Sequence, residues 1–556
     1  MLDVAQLTDS EKKISGAHYT PEGLADFVAE QIVGCGLNKC PRILDPSMGD
    51  GELLLAILRK LSGKAEIHGF DTDQNAVSLG RKRLLDAFPS TSVDAALQDF
   101  LSIALDHRDG GLFAPEDKYD VVIANPPYVR TQVMGADRSQ ELARDFVLNG
   151  RVDLYFAFIE GIAEVLRTGG VAGIIVSNRF MTTKAGGTVR KRILENFDIL
   201  HVWDMGDTRL FEAAVLPAVL LLQKKSKTAF SAAPLFSSIY TTSDPATDVA
   251  ATVIDALAKS GVLSVNGTAF KVQHGTLNHS PGDAGVWRIA TELGDEWLDT
   301  VRKNSFCTFG DIGKIRVGVK STADKVFIRK SWPATARPEL LRPLITHHVA
   351  RRYKSAPANR EILYTHESNG TKKIAVDLSK YPISQKYLED HRDVLEKRTY
   401  VTKSGRNWFE IWVPQNPSLW AVPKLVFPDI SEKPMFWMSL DGEIINGDCY
   451  WLAAAPDQID LLWLALAVAN STFSEAFYDH AFNNKLYAGR RRFMTQYVEK
   501  FPIPNPASPT AKEIVKMVKN IYGVESDEEI APLAEQLDSL VHTAFGLSKK
   551  SDGIRI

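Results

Sequence analysis

The chain has few cysteines for its 556 residues and no long apolar run. Its four cysteines are Cys35, Cys40, Cys307 and Cys449. So few thiols in so long a chain are typical of a reducing compartment, and we expect a cytoplasmic protein. Cys35 and Cys40 lack a matching second pair or a nearby histidine, so no metal site is predicted. No stretch approaches the roughly 18 consecutive apolar residues of a membrane span, and the polar N-terminus has no apolar signal core, so no membrane partner is expected.

The chain as a whole also lacks a strong excess of charge, but its basic residues are concentrated in one block. The 65 Lys+Arg and 68 Asp+Glu give a net charge of −3, whereas residues 301–410 hold 23 Lys+Arg against 11 Asp+Glu, a local net charge of +12. The remainder therefore carries −15. A basic block inside an acidic chain is the pattern expected of a nucleic-acid-binding module joined to another activity. A solvated basic face is the alternative, but the length of the block favours polyanion binding.

Short apolar runs alternate with helical patterns from residue 18 to about residue 225. This alternation predicts an α/β fold with a doubly wound, mostly parallel, Rossmann-like sheet. Helices are predicted between the strands, for example over Glu52–Leu61 and Leu154–Leu166. The predicted strands are Arg42–Asp45, Glu66–Asp71, Tyr119–Ala124, Val171–Ser177, Ile199–Met205 and Pro217–Gln223.

After this part the composition changes. We expect a first domain over residues 1–225, a connecting region over 226–286, a second, mixed α+β domain over 287–505, and a C-terminal helical segment over 506–556. The helical segment is interrupted near Gly523–Ser526. Six tryptophans of the second domain are expected to be mostly core residues: Trp332, Trp408, Trp412, Trp420, Trp437 and Trp451.

The tetrapeptide Asn125-Pro126-Pro127-Tyr128 follows the predicted strand Tyr119–Ala124. It therefore lies at the carboxyl end of a strand, where open α/β sheets bind their ligands. The Asn125 side-chain oxygen and the Pro126 carbonyl can each accept one N–H of a planar amino group, and the Tyr128 ring can stack on its plane. Both prolines remove a backbone donor and fix φ, so the acceptors keep their direction.

A glycine-containing loop, Asp45 to Gly51, follows the first predicted strand and opens a helix. It does not match the dinucleotide fingerprint, and Asp45 and Asp50 put carboxylates where a pyrophosphate would bind. The next strand ends in Asp71, which can accept the hydroxyls of a ribose, and Asp99-Phe100 can bracket an adenine. S-adenosylmethionine fits this set, because it has a ribose, an adenine and an amino-acid end but no phosphate.

With these motifs in order, the chain resembles the γ-class DNA adenine-N6 methyltransferases, the group typified by the Taq I methyltransferase. The residues Gly16 to Pro21 look like that family's N-terminal motif, and Asn125 to Tyr128 match its catalytic motif. Asp153-Leu154-Tyr155 stands where the family has Asn-Leu-Tyr. The resemblance implies a class I methyltransferase fold with these cofactor contacts: Thr20, Pro21, Asp45, Pro46, Ser47, Gly49, Gly51, Asp71, Asp99, Phe100 and Pro127.

The resemblance also implies the mechanism. Asn125, Pro126 and Tyr128 would hold the extruded adenine, with Phe211 as a second aromatic contact. Methyl transfer to N6 would be an in-line displacement in which positioning contributes most and no covalent nucleophile takes part. The partners implied are double-stranded DNA and a cognate restriction endonuclease encoded separately, and we expect a monomer.

The C-terminal half is similar to the specificity domain of the same family. The similar stretches are Gly310–Arg316, Val426–Ser431 and Lys485–Pro504, the last of which interleaves basic and aromatic residues. Such a pattern suits phosphate contacts combined with stacking or packing. The DNA contacts implied are Arg316, Lys320, Lys485, Arg490, Arg491 and Arg492.

Other substrates also offer a planar amino group. The same tetrapeptide serves enzymes that methylate a glutamine amide in release factors, and an RNA base presents a similar group. The release-factor enzymes are compact and lack a large basic module, which favours DNA. An alternative of a different class is a catalytically silent DNA-binding regulator, which the intact motifs disfavour.

Overall fold

In the computed structural model the chain forms two compact units, divided between Glu292 and Leu293. The structure describes residues 19–110, 118–129, 131–148, 153–211, 216–226, 232–279, 285–370, 372–482 and 490–547. Lys485, a predicted DNA contact, lies outside these residues.

The first unit is built around one large sheet. Its strands are β1 (Arg42–Asp45), β2 (Glu66–Asp71), β3 (Ser92–Leu97), β4 (Tyr119–Ala124), β5 (Leu166–Ser177), β6 (Phe197–Asp204), β7 (Pro217–Lys224), β8 (Leu235–Thr241), β9 (Asp248–Val249), β10 (Gly261–Val265), β11 (Thr268–Asn278) and β12 (Arg288–Ala290).

The helices of this unit stand between the strands in the chain. They are α1 (Glu22–Gly34), α2 (Glu52–Lys60), α3 (Gln74–Ala87), α4 (Phe100–Asp109), α5 (Thr131–Met134), α6 (Ala136–Asp145), α7 (Leu154–Val165), α8 (Gly187–Asn196) and α9 (Val253–Ala256).

The strand order is β3-β2-β1-β4-β5-β7-β6-β8-β11-β10-β9, and β12 pairs with β11. All pairings among β1 to β5 are parallel, whereas β7 runs antiparallel to both β5 and β6. The predicted doubly wound α/β fold is thus confirmed; β1 to β5 form its parallel part, and the sheet as a whole is mixed. The order reverses at β1, which pairs with β2 on one side and β4 on the other, and such a switch point is where open α/β sheets bind ligands.

Strand β4 shows how the sequence builds the two faces of the sheet. Val121 and Ile123 pack in the cluster that includes α1 and α2, whereas Val122 and Ala124 pack in the cluster that includes α4, α7 and α8. Successive side chains of a strand point to opposite faces, so a continuous apolar run serves both layers. The strand is therefore held from both sides, and the residue that follows it, Asn125, starts from a fixed position.

The structure differs from the sequence-based expectation over residues 226–286. Instead of a connector, this stretch contributes β8 to β11 to the sheet. The apolar pattern is weak because some buried positions are polar. Ser237 in β8 is 1% exposed, and its hydroxyl hydrogen-bonds His201 at 2.9 Å and His274 at 2.8 Å on the flanking strands. Cross-strand hydrogen bonds satisfy these buried groups, so the strand does not need apolar residues there.

The second unit contains two four-stranded sheets and three two-stranded pairs in the described residues. The strands are β13 (Ser305–Thr308), β14 (Arg316–Val317), β15 (Ile328–Arg329), β16 (Leu341–Ile345), β17 (Arg360–Leu363), β18 (His366–Asn369), β19 (Lys372–Ala375), β20 (Lys424–Pro428), β21 (Ile430–Ser431), β22 (Trp437–Ser439), β23 (Ile444–Ile445), β24 (Cys449–Leu452), β25 (Arg491–Arg492) and β26 (Pro502–Pro504). The sheets have the orders β14-β24-β20-β22 and β15-β17-β16-β23, and the pairs are β13–β26, β18–β19 and β21–β25.

Helices complete this unit. Four of the six tryptophans predicted as mostly core are buried, namely Trp332, Trp420, Trp437 and Trp451, which confirms that prediction. The predicted interruption of the C-terminal helical segment is also confirmed. The helices are α10 (Glu292–Lys303), α11 (Phe309–Ile312), α12 (Asp324–Phe327), α13 (Pro382–Glu389), α14 (Arg392–Glu396), α15 (Thr399–Lys403), α16 (Ile459–Ala469), α17 (Thr472–Phe482), α18 (Thr495–Val498), α19 (Pro509–Gly523) and α20 (Asp527–Ala544).

A glycine after β6 sets the turn that leads to Phe211. Gly206 has φ +51, and a Cβ there would collide with the carbonyl oxygen of Ile239 in β8. We expect Gly206→Ala to lower the free energy of unfolding by about 2–4 kcal/mol, since backbone strain and overpacking add. Gly169→Ala is the matched control, because Gly169 has φ +76 but open space around it, and should lose only about 1 kcal/mol. Urea unfolding of both variants checks this, and equal losses would contradict it.

Candidate active site

Three strand ends bring the predicted site residues together. Asp45 closes β1, Asp71 closes β2 and Asn125 follows β4. The three strands are adjacent and parallel, so their carboxyl ends lie at one edge of the sheet. Residues that are up to 80 positions apart in the chain thus become neighbours because of the strand register.

The loop after β1 is held by hydrogen bonds to β2. The Met48 N–H donates to the Phe70 carbonyl at 2.8 Å, and the Gly49 N–H donates to Asp71 Oδ2 at 2.9 Å. Gly51 caps α2 with φ +81, and a Cβ there would come within 3.3 Å of the Gly80 Cα. Glycine therefore meets two demands at this turn, a left-handed backbone and a close approach to α3.

Asp45 is a buried carboxylate with one uncompensated oxygen. It is 1% exposed; Oδ1 accepts the Ser47 N–H at 3.0 Å, whereas Oδ2 has no hydrogen-bond partner among the described residues. Burial raises the pKa of Asp45 to about 8; the Ser47 N–H opposes this rise, and the carboxylates of Asp71 and Asp50 add to it. A ligand with a positive charge would favour the ionised form of Asp45, whereas a phosphate would add to the repulsion from Asp71 and Asp50.

Asn125 is fixed by three hydrogen bonds. Its Nδ2 donates to Thr20 Oγ1 at 3.0 Å, and its Oδ1 accepts the hydroxyl of Tyr128 at 2.8 Å. Its main-chain carbonyl accepts the hydroxyl of Ser47 at 3.3 Å. The N-terminal motif, the loop after β1 and the tetrapeptide are therefore joined at one amide, and the bond to Thr20 restrains the rotation of the Asn125 side chain.

The Tyr128 side chain is half-buried and uncharged. Burial raises the pKa of its hydroxyl well above the usual value of 10, so it stays a neutral donor. Its ring meets the Tyr155 ring edge to face, with centroids 6.3 Å apart. Tyr155 belongs to the Asp153-Leu154-Tyr155 motif, which opens α7. This motif thus supports the aromatic end of the tetrapeptide through packing.

The two residues predicted to bracket an adenine have structural tasks in this fold. The Asp99 carboxylate caps α4 by accepting the Leu101 N–H at 3.0 Å. Phe100 is 1% exposed and packs against Phe158 with centroids 5.3 Å apart. Its ring therefore lies in the core between the sheet and its helices rather than on an open surface.

Phe211 is not placed as the sequence suggested. It is 7% exposed and packs in the cluster that includes α1 and α2, whereas Tyr128 borders the cluster on the other face of the sheet. The turn before it contains Arg209 with φ +55. A non-glycine residue in this region is uncommon and often marks a constrained or functional turn.

Sequence reasoning missed Tyr19, although it stands inside the quoted N-terminal motif. Tyr19 is 53% exposed, and its ring lies 3.5 Å from where a Cβ on Gly49 would stand. Burial and the carboxylates of Asp50, Asp73 and Asp71 raise the pKa of Tyr19. The only available signal was an aromatic residue directly before Thr20-Pro21.

The predicted DNA contacts of the second unit fall into two groups. Lys320 and Arg490 are exposed, and Arg316 is half-buried. Arg491 is instead 6% exposed and forms a two-pronged ion pair with Asp479, with N–O distances of 2.9 and 2.8 Å.

Arg492 is likewise paired with a carboxylate. Its Nη2 lies 3.0 Å from Asp429 Oδ2, and this acidic partner raises the pKa of Arg492. Two of the three consecutive arginines are therefore neutralised within the unit, which the local sequence could not reveal because the carboxylates lie 12 and 63 positions away. In the described residues no cluster of metal-ligating side chains occurs, and no described helix could cross a membrane.

Comparison with known proteins finds restriction-modification methylases and type II methyltransferases. The model of the Eco57I restriction-modification methylase family matches residues 65–211. The type II methyltransferase M.BanIII of Aneurinibacillus aneurinilyticus is 38% identical, with 97% of this chain and 98% of that protein covered. The type II methyltransferase M.PaeR7I of Pseudomonas aeruginosa is 28% identical, with 95% of each covered.

Solved structures with a similar fold over most of the chain include two complexes with DNA. The ATP-dependent Type ISP restriction-modification enzyme LlaBIII bound to DNA gives a TM-score of 0.52 at 12% identity, covering 91% of this chain and 39% of that chain. The DrdV–DNA complex gives 0.52 at 10% identity, covering 93% and 58%. These likenesses concern the fold alone. The similarity to M.BanIII spans nearly the whole of both sequences, and the chain belongs to the type II methyltransferases.

Proposed function

We propose that the protein methylates N6 of an adenine within a specific sequence of double-stranded DNA. Its relatives are type II methyltransferases and a restriction-modification methylase family, so the general activity is methyl transfer within a restriction-modification system. The observation that carries the finer proposal is the hydrogen-bonded set of Thr20, Asn125 and Tyr128 beside the loop after β1. This set presents acceptors and a ring to a planar amino group.

S-adenosylmethionine is the cofactor that family membership implies, and when bound it supplies an electrophilic methyl group. The loop fits it because Asp45 has an uncompensated buried oxygen and the surrounding charge is negative. We propose that Asp71 holds the ribose. The remaining cofactor contacts proposed are Thr20, Pro21, Asp45, Pro46, Ser47, Gly49, Gly51, Asp99 and Pro127, with the ring of Phe100 acting through packing.

We propose that Asn125 Oδ1 accepts one N–H of the target amino group. An amide oxygen has two lone pairs, so Oδ1 can accept Tyr128 and a substrate N–H together. We propose that the Pro126 carbonyl accepts the second N–H, which directs the nitrogen lone pair at the methyl group. Positioning then contributes most of the rate, as expected when no covalent intermediate is needed.

Adenine N6 is inaccessible inside a duplex, so the base must be extruded before Tyr128 can stack on it. Because Phe211 is buried, its proposed contact with the base requires movement of the turn at Gly206 to Arg209. We further propose that the protein acts as a cytoplasmic monomer and that a cognate endonuclease is a separate chain.

The modified base tests the proposal directly. Duplex DNA incubated with the purified protein and labelled S-adenosylmethionine should yield N6-methyladenine on nucleoside mass spectrometry, because the site accepts two N–H groups from one planar nitrogen. Cytosine presents the same kind of group, so N4-methylcytosine as the sole product would overturn the adenine assignment. Label in RNA or protein but not in DNA would overturn the DNA assignment.

The bond between Thr20 and Asn125 generates a second prediction. Asn125→Ala should lower kcat at least about 100-fold, because an oriented acceptor at the reacting atom is lost. Thr20→Val should lower it about tenfold, since the amide is then free to turn, while Thr20→Ser keeps the hydroxyl and most of the activity. Single-turnover methylation measures these rates. Equal rates for Thr20→Val and Thr20→Ser would show that the hydroxyl does not orient Asn125.

Asp45 generates a prediction about pH. In the unfolded chain its pKa is near 3.9, whereas burial raises it to about 8 in the folded protein. Between these values the folded state binds a proton that the unfolded state has lost, so stability falls as pH rises from about 4 to 8 and then levels.

Without cofactor, Asp45→Asn should therefore gain stability relative to the wild type as pH rises from 5 to 8, by at most about 1.4 kcal/mol per pH unit. Urea unfolding at both pH values measures the difference. Asp86→Asn is the control, since it makes the same chemical change at an exposed position of α3. If the free energy of unfolding of Asp45→Asn differed from that of the wild type by the same amount at both pH values, the raised pKa of Asp45 would be contradicted.

A further inference from the structure

An open pocket in the second unit has a lining that is basic and rich in amides. Its volume is about 530 Å³, and it draws on β14, on β19 and on the segment before the short helical turn Pro417–Leu419. No acidic side chain is among its lining residues, which are Arg316, Lys372, Lys373, Gln415, Asn416 and Leu419.

Arg316 is a half-buried cation without a carboxylate partner in the described part of the chain. Strand pairing sets it opposite Trp451, and its guanidinium lies 5.2 Å from the centroid of that ring. One N–H donates to the Lys314 carbonyl at 2.9 Å. Burial lowers the pKa of Arg316, and no acidic neighbour offsets this. Arg491 and Arg492, by contrast, are matched by carboxylates. A positioned guanidinium that lacks an anion within its own unit is suited to an external one.

Two exposed lysines add to this charge. Lys372 and Lys373 begin β19, directly after the turn of the hairpin, where they pair with Asn369 and Ser368 of β18. Neither lysine has an ion-pair partner among the residues that the structure describes. Three cations thus line one pocket inside the block of the chain whose net charge is +12.

The two amides are held in defined orientations. Gln415 has φ +63, and its Nε2 donates to the Val317 carbonyl at 2.7 Å, which leaves Oε1 as an acceptor. Asn416 Oδ1 accepts the Ser418 N–H at 3.2 Å and the Ser418 hydroxyl at 3.0 Å, which leaves Nδ2 as a donor. One fixed acceptor beside one fixed donor is the pattern that reads the edge of a base. A constrained non-glycine φ is also common where a side chain has a function.

We propose that this pocket binds the target DNA, with Arg316, Lys372 and Lys373 on backbone phosphates and with Gln415 and Asn416 on a base edge. The inference rests on the proposed function, because it takes DNA as the substrate. It assigns the three cations to binding affinity and the two amides to the choice of the recognised sequence. The phosphate contacts set the register of the duplex, and the amides contribute to sequence choice.

The proposed phosphate contacts of the three cations are tested by the salt dependence of DNA binding. Phosphate contacts do not depend on sequence, so a duplex of any sequence can be used. Binding of the full-length protein to a fluorescent duplex is measured by anisotropy over a range of KCl concentrations for wild type, Arg316→Gln and Lys372→Gln/Lys373→Gln. Each lost phosphate contact should reduce the slope of log K against log [KCl] by about 0.9. Lys516→Gln on α19 is the matched control, since Lys516 is exposed and outside the pocket, and should leave the slope unchanged.

The amide is tested by the map of methylated sites. Asn416→Ser keeps an oxygen that can cap Ser418 but removes the Nδ2 donor, so discrimination at one base pair should fall about tenfold while the salt slope stays at the wild-type value. Base-resolution sequencing of DNA from cells that express each form gives this map, and thermal melting confirms that each variant folds.

The outcomes separate the inference from the proposed function. Unchanged salt slopes in both cation variants, or an unchanged site map in Asn416→Ser, would overturn the corresponding part of the inference. If the wild type methylates no DNA, the proposed function fails. Even then, a smaller slope of log K against log [KCl] in the double lysine variant would identify the pocket as a contact of the duplex. Both lysine side chains are exposed, so their replacement does not disturb the fold.

Discussion

The site depends on the register of three parallel strands. Because β1 pairs with β2 on one side and with β4 on the other, three polar residues that follow apolar runs arrive at one edge of the sheet. The apolar side chains of β4 are distributed to both faces, which holds the strand between two layers of helices. The hydrogen bonds of Asn125 to Thr20 and Tyr128 are short local contacts, but they can form only because this register brings the motifs together.

Strands that are marked by a local sequence pattern could be predicted from the sequence alone. β1, β2 and β4 occupy the predicted residues, and a polar residue ends or directly follows each strand: Asp45, Asp71 and Asn125. β5 begins at Leu166, earlier than predicted, since Gly169 and Gly170 interrupt its apolar pattern. β8 escaped prediction because Ser237 and Ser238 are buried within it, and the Ser237 hydroxyl relies on His201 and His274 in the flanking strands. Local patterns cannot show such partners.

The same distinction applies to the site residues. The tetrapeptide and the loop after β1 were identified from their motifs, and the structure brings Thr20, Ser47, Asn125 and Tyr128 together. The roles of Phe100, Phe211 and Arg491 depended on what surrounds them. Two rings lie in the core, and the arginine is paired with Asp479. A count of basic residues therefore overstates the positive charge available to a partner, whereas an arginine beside a tryptophan and far from carboxylates, such as Arg316, retains it.

The hairpin of β18 and β19 pairs with no other strand in the described residues. Its strands are hydrogen-bonded to each other, and its lysines stand near the turn and are exposed. Substitutions or changes of length at this turn leave both four-stranded sheets and the buried tryptophans intact. If the proposed phosphate contacts of Lys372 and Lys373 hold, a change in the length or charge of this hairpin would alter the strength of DNA binding and leave the recognised sequence to the amides of Gln415 and Asn416.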